Sequence, residues 1–180
     1  MKRVVAFVGL VGVVALAWHS TQSSPDPALL RRAMQEFEAH KKQLGNRKYV
    51  TAIDYTKSIL QPRLFVYDMQ ARKVVLTTRV SHAWKSGFLY ASTFSNQKGS
   101  KLSSLGTYIT AGAYDGDFGY AMRVVGITPG QNTKASDRFI VFHPDLWYKF
   151  SSGCFMTSKD TNKHLIDLIK GGSLVYVAKN

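Results

Sequence analysis

The sequence predicts one mostly β domain, with a helix at its start and a second helix near its end. Three observations support this fold class. From residue 49 onward, short runs rich in Val, Ile, Tyr, Phe and Thr recur along the chain, and these residue types favour strands. Gly, Ser and Asn residues separate the runs and mark turns. Apolar residues recur at helical spacing in two places, close to residues 27–46 and 160–170.

The beginning of the chain is typical of an export signal. Two basic residues precede an uncharged apolar run over residues 4–18, and small residues near its end form a pattern that signal peptidase recognises. We therefore expect a signal peptide over residues 1–17, a polar linker over residues 18–26 and a periplasmic or secreted protein. The run is shorter than the roughly 20 residues of a membrane span. An uncleaved anchor, with membrane attachment through residues 4–18, stays open because aromatic residues suit a membrane interface.

The N-terminal helix is predicted over residues 27–46. Asp26 suits the N-cap, and Pro27 suits the first helical position. Apolar residues then follow at spacings of three and four and form one stripe, which consists of Leu30, Ala33, Met34 and Phe37. The pair Gly45-Asn46 ends the element. The stripe favours packing on the main body, and docking of a partner is the alternative.

Residues 47–180 form the main body, in which seven strands are predicted. The strands are 49–55, 63–68, 73–80, 106–113, 120–127, 139–143 and 173–178. Residues 87–105 form a long polar stretch, and loops of this length in a compact domain are usually functional. The late helix has Asp160 or Thr161 as its cap, and Gly171-Gly172 ends it.

The charge of the chain limits its partners. It carries 24 Lys and Arg against 11 Asp and Glu, a net charge of +13. A basic surface attracts polyanions, which outside the cytoplasm are cell-wall polymers and lipid headgroups. No run of five or more basic residues occurs in the sequence, and we expect no nucleic-acid partner. A basic protein without any polyanionic partner is the simpler alternative.

Cys154 is the single cysteine of the chain. Exported proteins normally use cysteines in pairs, as disulfides, so this thiol is an inert buried side chain, an intermolecular bridge or a nucleophile. It ends a turn of small residues, Ser151-Ser152-Gly153-Cys154, eleven positions after His143. A nearby imidazole can take the proton of a thiol, and glycine lets backbone N–H groups converge on one point, as an oxyanion hole requires. From the residues alone, catalytic and structural interpretations of the pair are equally open.

These residues resemble the murein L,D-transpeptidase catalytic-domain family. The hallmark of that family is a histidine on a strand followed by a Ser-x-Gly-Cys turn, here His143 and residues 151–154. The resemblance is collinear over residues 49–177, and its further segments are 62–68, 81–82, 95–96, 103–106, 119–123 and 169–174. It implies an L,D-transpeptidase-like β-sandwich or barrel that carries the two predicted helices.

The resemblance also implies a cysteine acyltransferase of the bacterial cell wall, without cofactor or metal. Cys154 would be the nucleophile and His143 the general base, with a backbone carbonyl near Pro144 as the third partner. Backbone N–H groups of Gly153, Ser152 and Cys154 would form the oxyanion hole. The substrate would be a peptidoglycan tetrapeptide stem, which is held as a thioester after its terminal D-Ala leaves. The residues implied in substrate binding are His82, Ser151, Ser95 and Asn96.

Three departures from the family pattern leave the acceptor and the activity open. Pro144 stands where glycine is usual, the connection from His143 to Cys154 is short, and Met156 stands where many relatives carry arginine. A carboxylate of the substrate would then need another cation, for which the candidates are Lys149, Lys159 and Arg138. An L,D-carboxypeptidase, or a non-catalytic peptidoglycan-binding protein that retains the fold, is the alternative function.

Overall fold

The computed structural model of the chain describes residues 24–145 and 150–179. Within these residues, two α-helices and eight strands form the domain. In chain order they are α1 (Pro27–His40), β1 (Tyr49–Asp54), β2 (Leu64–Asp68), β3 (Lys73–Thr78), β4 (Gly106–Gly116), β5 (Gly119–Gly126), β6 (Val141–Pro144), β7 (Phe155–Thr157), α2 (Lys159–Ile169) and β8 (Leu174–Ala178).

The described strands form one mixed sheet in the order β3-β2-β1-β8-β4-β5-β6-β7. β1 pairs in parallel with β8, and β6 pairs in parallel with β7. The curl of the sheet brings its two edges together, since the N–H of Ser81, just beyond β3, donates to the carbonyl of Met156 in β7 at 2.9 Å. The predicted mostly β class is therefore confirmed, as a half-barrel made by one curled sheet.

Alternating side chains of the sheet face two separate cores. Inside the curl, Val175 and Val177 of β8 pack with Leu165 of α2. On the outer face, Leu174 of the same strand packs with Phe37 of α1. Asp26 caps α1, because its carboxylate accepts the N–H groups of the first turn. The stripe of α1 thus packs on the main body, with Leu29 in the place of the predicted Leu30, and each helix covers one face of the sheet.

The start of β6 differs from its prediction because of a turn that precedes it. Residues 139–143 are predicted as a strand, but β6 begins at Val141 and Phe139 has a φ of +53°. The N–H of Phe139 donates to Ser136 and the N–H of Ile140 donates to Ala135, both at 3.0 Å. This pair of bonds is the Schellman pattern that ends a helical turn. Phe139 therefore closes a turn.

Other boundaries also shift. β7 was not predicted, because three residues are too few for a recognisable alternation of apolar and polar side chains. α1 ends at His40, and a 3-10 turn over Lys41–Gln43 replaces the last predicted helical turn. α2 begins after Ser158, earlier than the predicted caps at Asp160 or Thr161.

Some predictions concern residues outside those that the structure describes. These are the signal peptide or anchor, all but the last three residues of the linker, and Lys149 within the short connection. Neither α1 nor α2 is long and apolar enough to cross a membrane.

Phe37→Ala tests how strongly α1 stabilises the domain. Phe37 is 2% exposed, and removal of a buried phenylalanine ring costs about 3–5 kcal/mol. We expect urea unfolding to show a loss of this size. Gln35→Ala, on the exposed side of the same helix, is the matched control and should change the free energy of unfolding by less than about 0.5 kcal/mol. Equal effects of the two substitutions would contradict the packing role of α1.

Candidate active site

Cys154 lies directly before β7, in a turn that two hydroxyl groups fix. The Ser151 hydroxyl donates to the carbonyl of Cys154 at 2.7 Å and accepts the N–H of Gly153 at 3.0 Å. The Ser81 hydroxyl donates to the same carbonyl at 3.2 Å and accepts the N–H of Met156 at 2.9 Å. The backbone of the cysteine is therefore held from both sides of the curl.

Gly153 is required by the space around the turn. Its φ is +132°, and a Cβ at this position would lie 2.7 Å from Ile140 Cδ1 and 3.2 Å from both the Arg138 guanidinium and the Leu102 carbonyl. A side chain here would clash with a packed residue and strain the backbone. The small-residue turn of the sequence is thus explained by close packing beneath the cysteine.

The pairing of β6 with β7 brings His143 and Cys154 to one face of the sheet. Phe142 lies opposite Phe155, and His143 lies opposite Met156. The rings of Phe142 and Phe155 stack in the inner core with centroids 4.8 Å apart. Because successive side chains of a strand alternate, His143 and the residue before Phe155 both point away from that core.

His143 is held in the tautomer that a general base needs. Its Nδ1 lies 2.9 Å from the carbonyl oxygen of Pro144, and a carbonyl can only accept, so Nδ1 carries the proton and Nε2 is the basic nitrogen. The ring of Phe118 stacks on the imidazole with centroids 4.9 Å apart. Burial lowers the pKa of His143 below its ordinary value, which favours the neutral imidazole at pH 7.

The thiol of Cys154 is in a resting arrangement. It is half-buried, and its Sγ donates to the carbonyl of Phe139 at 3.5 Å. The thiol is therefore hydrogen-bonded to a backbone carbonyl, and not to the imidazole of His143. Burial raises the pKa of the Cys154 thiol, while a backbone hydrogen bond from Val141 and the charge of Arg138 act in the opposite direction. The resting structure therefore favours the neutral forms of both the thiol and the imidazole.

Arg138 places a positive charge next to the cysteine turn. Its guanidinium donates to the carbonyl of Ser95 at 2.7 Å, to the hydroxyl of Ser104 at 2.8 Å and to the carbonyl of Leu102. These bonds tie the long polar loop to the turn that carries Arg138. Of the two candidate cations that the structure describes, Lys159 and Arg138, Arg138 is the one whose charge acts on Cys154.

Ser95 and Asn96 hold this loop through hydrogen bonds of their side chains. The Ser95 hydroxyl accepts the N–H of Gln97 at 3.0 Å, and the Asn96 carboxamide joins the loop to Thr133 and Lys134. Both residues are half-buried, and their part in substrate binding stays a prediction. Ser151 is 7% exposed, and its hydroxyl donates to the Cys154 carbonyl within the turn.

His82, which the resemblance implies in substrate binding, is fully buried in this structure, and its contact with a substrate stays a prediction. Arg63 donates to its Nδ1 at 2.9 Å, so its Nε2 donates to the carbonyl of Gly87, also at 2.9 Å. Burial lowers the pKa of His82 to about 4. Its neighbours along the chain hold the cysteine turn, since Ser151 donates its N–H to the His82 carbonyl and accepts the N–H of Trp84. His82 thus supports the wall of the site from behind.

One of the predicted oxyanion-hole donors already makes a hydrogen bond within the protein in the resting structure. The N–H of Gly153 donates to the Ser151 hydroxyl, so this donor must leave the hydroxyl or share its proton when an oxyanion forms. Ser152 is exposed at the tip of the turn. Its N–H and that of Cys154 are the other two predicted donors.

A groove of about 190 Å³ lies along β7, and neither His143 nor Cys154 is among its lining residues. It runs between the segment after β3 and β7, and its lining includes Arg79, Ser81, Asp145 and Met156. The groove therefore extends the site along β7 rather than enclosing the thiol. Within the described residues, no group of His, Cys, Asp and Glu side chains could hold a metal ion.

Sequence reasoning missed three residues that shape the site. Ser81 was noted only as part of a family segment, although its hydroxyl holds the Cys154 carbonyl. Phe118, in the β4–β5 turn, and Phe139, before β6, carry no local signal of their contacts with His143 and Cys154. Both contacts arise between distant parts of the chain, where single-sequence patterns give no information.

The buried His82 makes the stability of the domain depend on pH. In the unfolded chain it takes up a proton below its ordinary pKa of 6.5, whereas in the folded chain it does so near 4. The contribution of His82 to the free energy of unfolding is therefore complete above pH 6.5. It is lost as the pH falls towards 4, by on the order of 3 kcal/mol. Unfolding of His82→Gln should show a correspondingly weaker dependence over this range, while His164→Gln, at an exposed position of α2, should behave like the parent. An imidazole NMR signal of His82 that titrates near pH 6.5 would contradict this.

Comparison with known proteins gives the family. A family model described as L,D-transpeptidase catalytic domain matches residues 21–178. No curated protein matches the chain. Among solved structures, the chain is similar to an L,D-transpeptidase from Mycobacterium smegmatis, with a TM-score of 0.46 and 15% identity over 73% of this chain and 58% of that one. It is also similar to L,D-transpeptidase 1 of Mycobacterium tuberculosis, with a TM-score of 0.43 and 12% identity over 73% of this chain and 71% of that one.

The chain thus spans little more than half of the length of the first of these structures. The family model, in contrast, covers the sheet, both helices and the turn that carries the cysteine. The chain belongs to the L,D-transpeptidase catalytic domain family.

Proposed function

We propose that this protein is a peptidoglycan L,D-transpeptidase that acts through a Cys154 thioester, with His143 as general base. One observation carries the proposal: the parallel pairing of β6 with β7 places both side chains on one face, outside the core. The fixed turn at Cys154 and the Nδ1–H tautomer of His143 suit these roles.

In the acylation half-reaction, the thiol first loses its proton to Nε2 of His143. The thiolate attacks the carbonyl carbon that joins the third residue of a tetrapeptide stem to the terminal D-Ala. The tetrahedral intermediate then collapses, its C–N bond breaks, and the imidazolium donates its proton to the leaving amine of D-Ala. The stem remains bound to Cys154 as a thioester.

In the second half-reaction, an amine attacks the thioester carbonyl and gives a proton to Nε2 of His143. The C–S bond breaks, and a new amide and the free thiol result. An amine of a second stem would give a cross-link, and water in its place would give the L,D-carboxypeptidase. Backbone N–H groups of the 151–154 turn stabilise the oxyanion in both steps, at roughly 3–4 kcal/mol per donor.

The resting hydrogen bond of the thiol must break before acylation. Its partner is the carbonyl of Phe139, and burial disfavours the thiolate. Catalytic hydrogen bonds are often loose in the absence of substrate and tighten when it binds. The charge of Arg138 supports ionisation of the thiol, because a nearby cation favours the thiolate.

The same resting arrangement favours a second candidate function, a peptidoglycan-binding protein without turnover. A protonated thiol that is hydrogen-bonded to a carbonyl is not an active nucleophile. Incubation with purified sacculi, followed by muropeptide analysis, separates the candidates. New 3–3 cross-links support the transpeptidase and shortened tripeptides support the carboxypeptidase. Retention on sacculi without release of D-Ala identifies the binding protein.

Cys154→Ala tests the nucleophile. The parent chain should form a covalent adduct with tetrapeptide stems or with a carbapenem, because both offer a carbonyl to the thiolate. The variant lacks the attacking atom and should form none. Intact-mass spectrometry measures the adduct, and Cys154→Ser is the matched control for folding of the turn. Absence of an adduct on the parent, or its persistence on Cys154→Ala, would reject the mechanism.

Arg138→Gln tests the electrostatic support of the thiolate. The thiolate fraction rises about tenfold per pH unit below the thiol pKa, so alkylation of Cys154 by iodoacetamide should rise steeply with pH. Loss of the guanidinium charge should raise the pKa of Cys154 and slow alkylation several-fold at each pH below it. Lys134→Gln, at an exposed position near Arg138 in sequence, is the charge-matched control and should follow the parent. Identical profiles for all three proteins would exclude the effect.

A further inference from the structure

A group of exposed apolar side chains lies beside the site and has no part in the proposed reaction. We call it the apolar patch, and it consists of Leu60, Trp84, Phe88, Leu89 and Tyr90. Between 41% and 76% of each residue is exposed. Single exposed apolar residues are ordinary, but a group of this kind marks a surface that meets another apolar phase.

The patch is held in place by backbone hydrogen bonds at its base. The N–H of Ile59 donates to the carbonyl of Leu89 at 2.8 Å, which joins the two segments that form the patch. The carbonyl of Gly87 accepts from buried His82, and the carbonyl of Ser86 accepts the N–H of Ser92 at 2.7 Å. The exposure of these side chains therefore comes from a fixed loop.

The surroundings of the patch are basic. Residues 79–101 contain four Lys and Arg and no Asp or Glu. Of these cations, Lys85 lies within the patch segment and is exposed, and Arg79 is exposed in the segment after β3. Lys85 also contacts the ring of Trp84, with its Nζ 5.6 Å from the ring centroid. Apolar and aromatic side chains with basic neighbours are the composition of surfaces that enter the headgroup region of an anionic bilayer.

The start of the described chain lies close to the patch. Lys57 donates to the carbonyl of Ser24 at 3.1 Å, and Lys57 is three residues from Leu60 in sequence. The apolar run of residues 4–18 ends six positions before Ser24, and six extended residues reach about 20 Å. If that run enters a bilayer, the patch is held near the same bilayer surface.

We propose that the apolar patch is a membrane-contact surface that binds the headgroup region of an anionic lipid bilayer. Leu60 and Leu89 distinguish this partner from a glycan strand, because aliphatic side chains neither stack on sugar rings nor bond to their hydroxyls. The proposal does not depend on the proposed reaction, since none of the patch residues takes part in it.

Membrane contact would set the orientation of the site. Phe88 contacts Phe150 with ring centroids 5.9 Å apart, and Trp84 donates its N–H to Ser151. The cysteine turn is thus directly next to the patch. A bound bilayer would face one wall of the site, including Leu60 at the edge of the groove along β7.

A fluorophore at residue 88 of the full chain tests the contact. Phe88→Cys, made in a Cys154→Ala background, is labelled with an environment-sensitive dye and mixed with vesicles of phosphatidylglycerol and phosphatidylethanolamine. We expect a blue shift and quenching by brominated lipid, and a smaller response with phosphatidylcholine vesicles. Ala71→Cys carries the control label in the β2–β3 turn, at the opposite end of these strands from Leu60, and should remain in water. In the labelled protein, Lys85→Gln should weaken the anionic-lipid response about fivefold.

Three outcomes would overturn the proposal. The first is an unchanged spectrum at residue 88 while the chain is bound to anionic vesicles, or no vesicle binding at all. The second is an equal response at residues 88 and 71, which would mean that no particular face meets the lipid. The third is a response to purified peptidoglycan fragments but not to vesicles, which would assign the patch to the cell wall.

Discussion

Ser81 joins the two edges of the curled sheet, and the position of Cys154 depends on that junction. Its N–H donates to Met156, its carbonyl accepts from the hydroxyl of buried Tyr55 at 3.1 Å, and its hydroxyl reaches the carbonyl of Cys154. Every polar group of this one residue is thus used to link the segment after β3 to β7. An open sheet with the same strands would separate the cysteine turn from the residues that support it.

A buried cation supports the same junction from behind. Arg63 has no exposed surface, and it donates twice to the Val80 carbonyl, once to the Lys57 carbonyl and once to His82. A buried charge is tolerated only when hydrogen bonds satisfy it. Two of the acceptors belong to Val80 and His82, the residues on either side of Ser81. Arg63 therefore fixes the backbone that carries Ser81. A polar network, rather than apolar packing alone, therefore positions the site.

In the resting site, the surroundings of His143 and Cys154 favour the uncharged form of both side chains. Burial lowers the pKa of His143 and raises that of Cys154, so both shifts favour the neutral pair over the ion pair. A neutral thiol at this exposed face resists oxidation, because the thiolate is the reactive form. In the proposed mechanism, substrate binding would displace the carbonyl of Phe139 from the thiol.

The sequence by itself determined the mostly β class, both helices and six strands close to their observed places, and it singled out Cys154 and His143 as candidate catalytic residues. Local rules suffice there, because alternation, helical spacing, capping and a glycine-bearing turn are all read within a few residues. Tertiary structure alone decided that His82 is buried against Arg63 and that Asn96 bonds its loop to Lys134. It also decided that Phe139 closes a turn, and that Ser81 and Arg138 meet the cysteine. These facts depend on which distant segments the curled sheet brings together, and no local sequence pattern predicts which segments will meet.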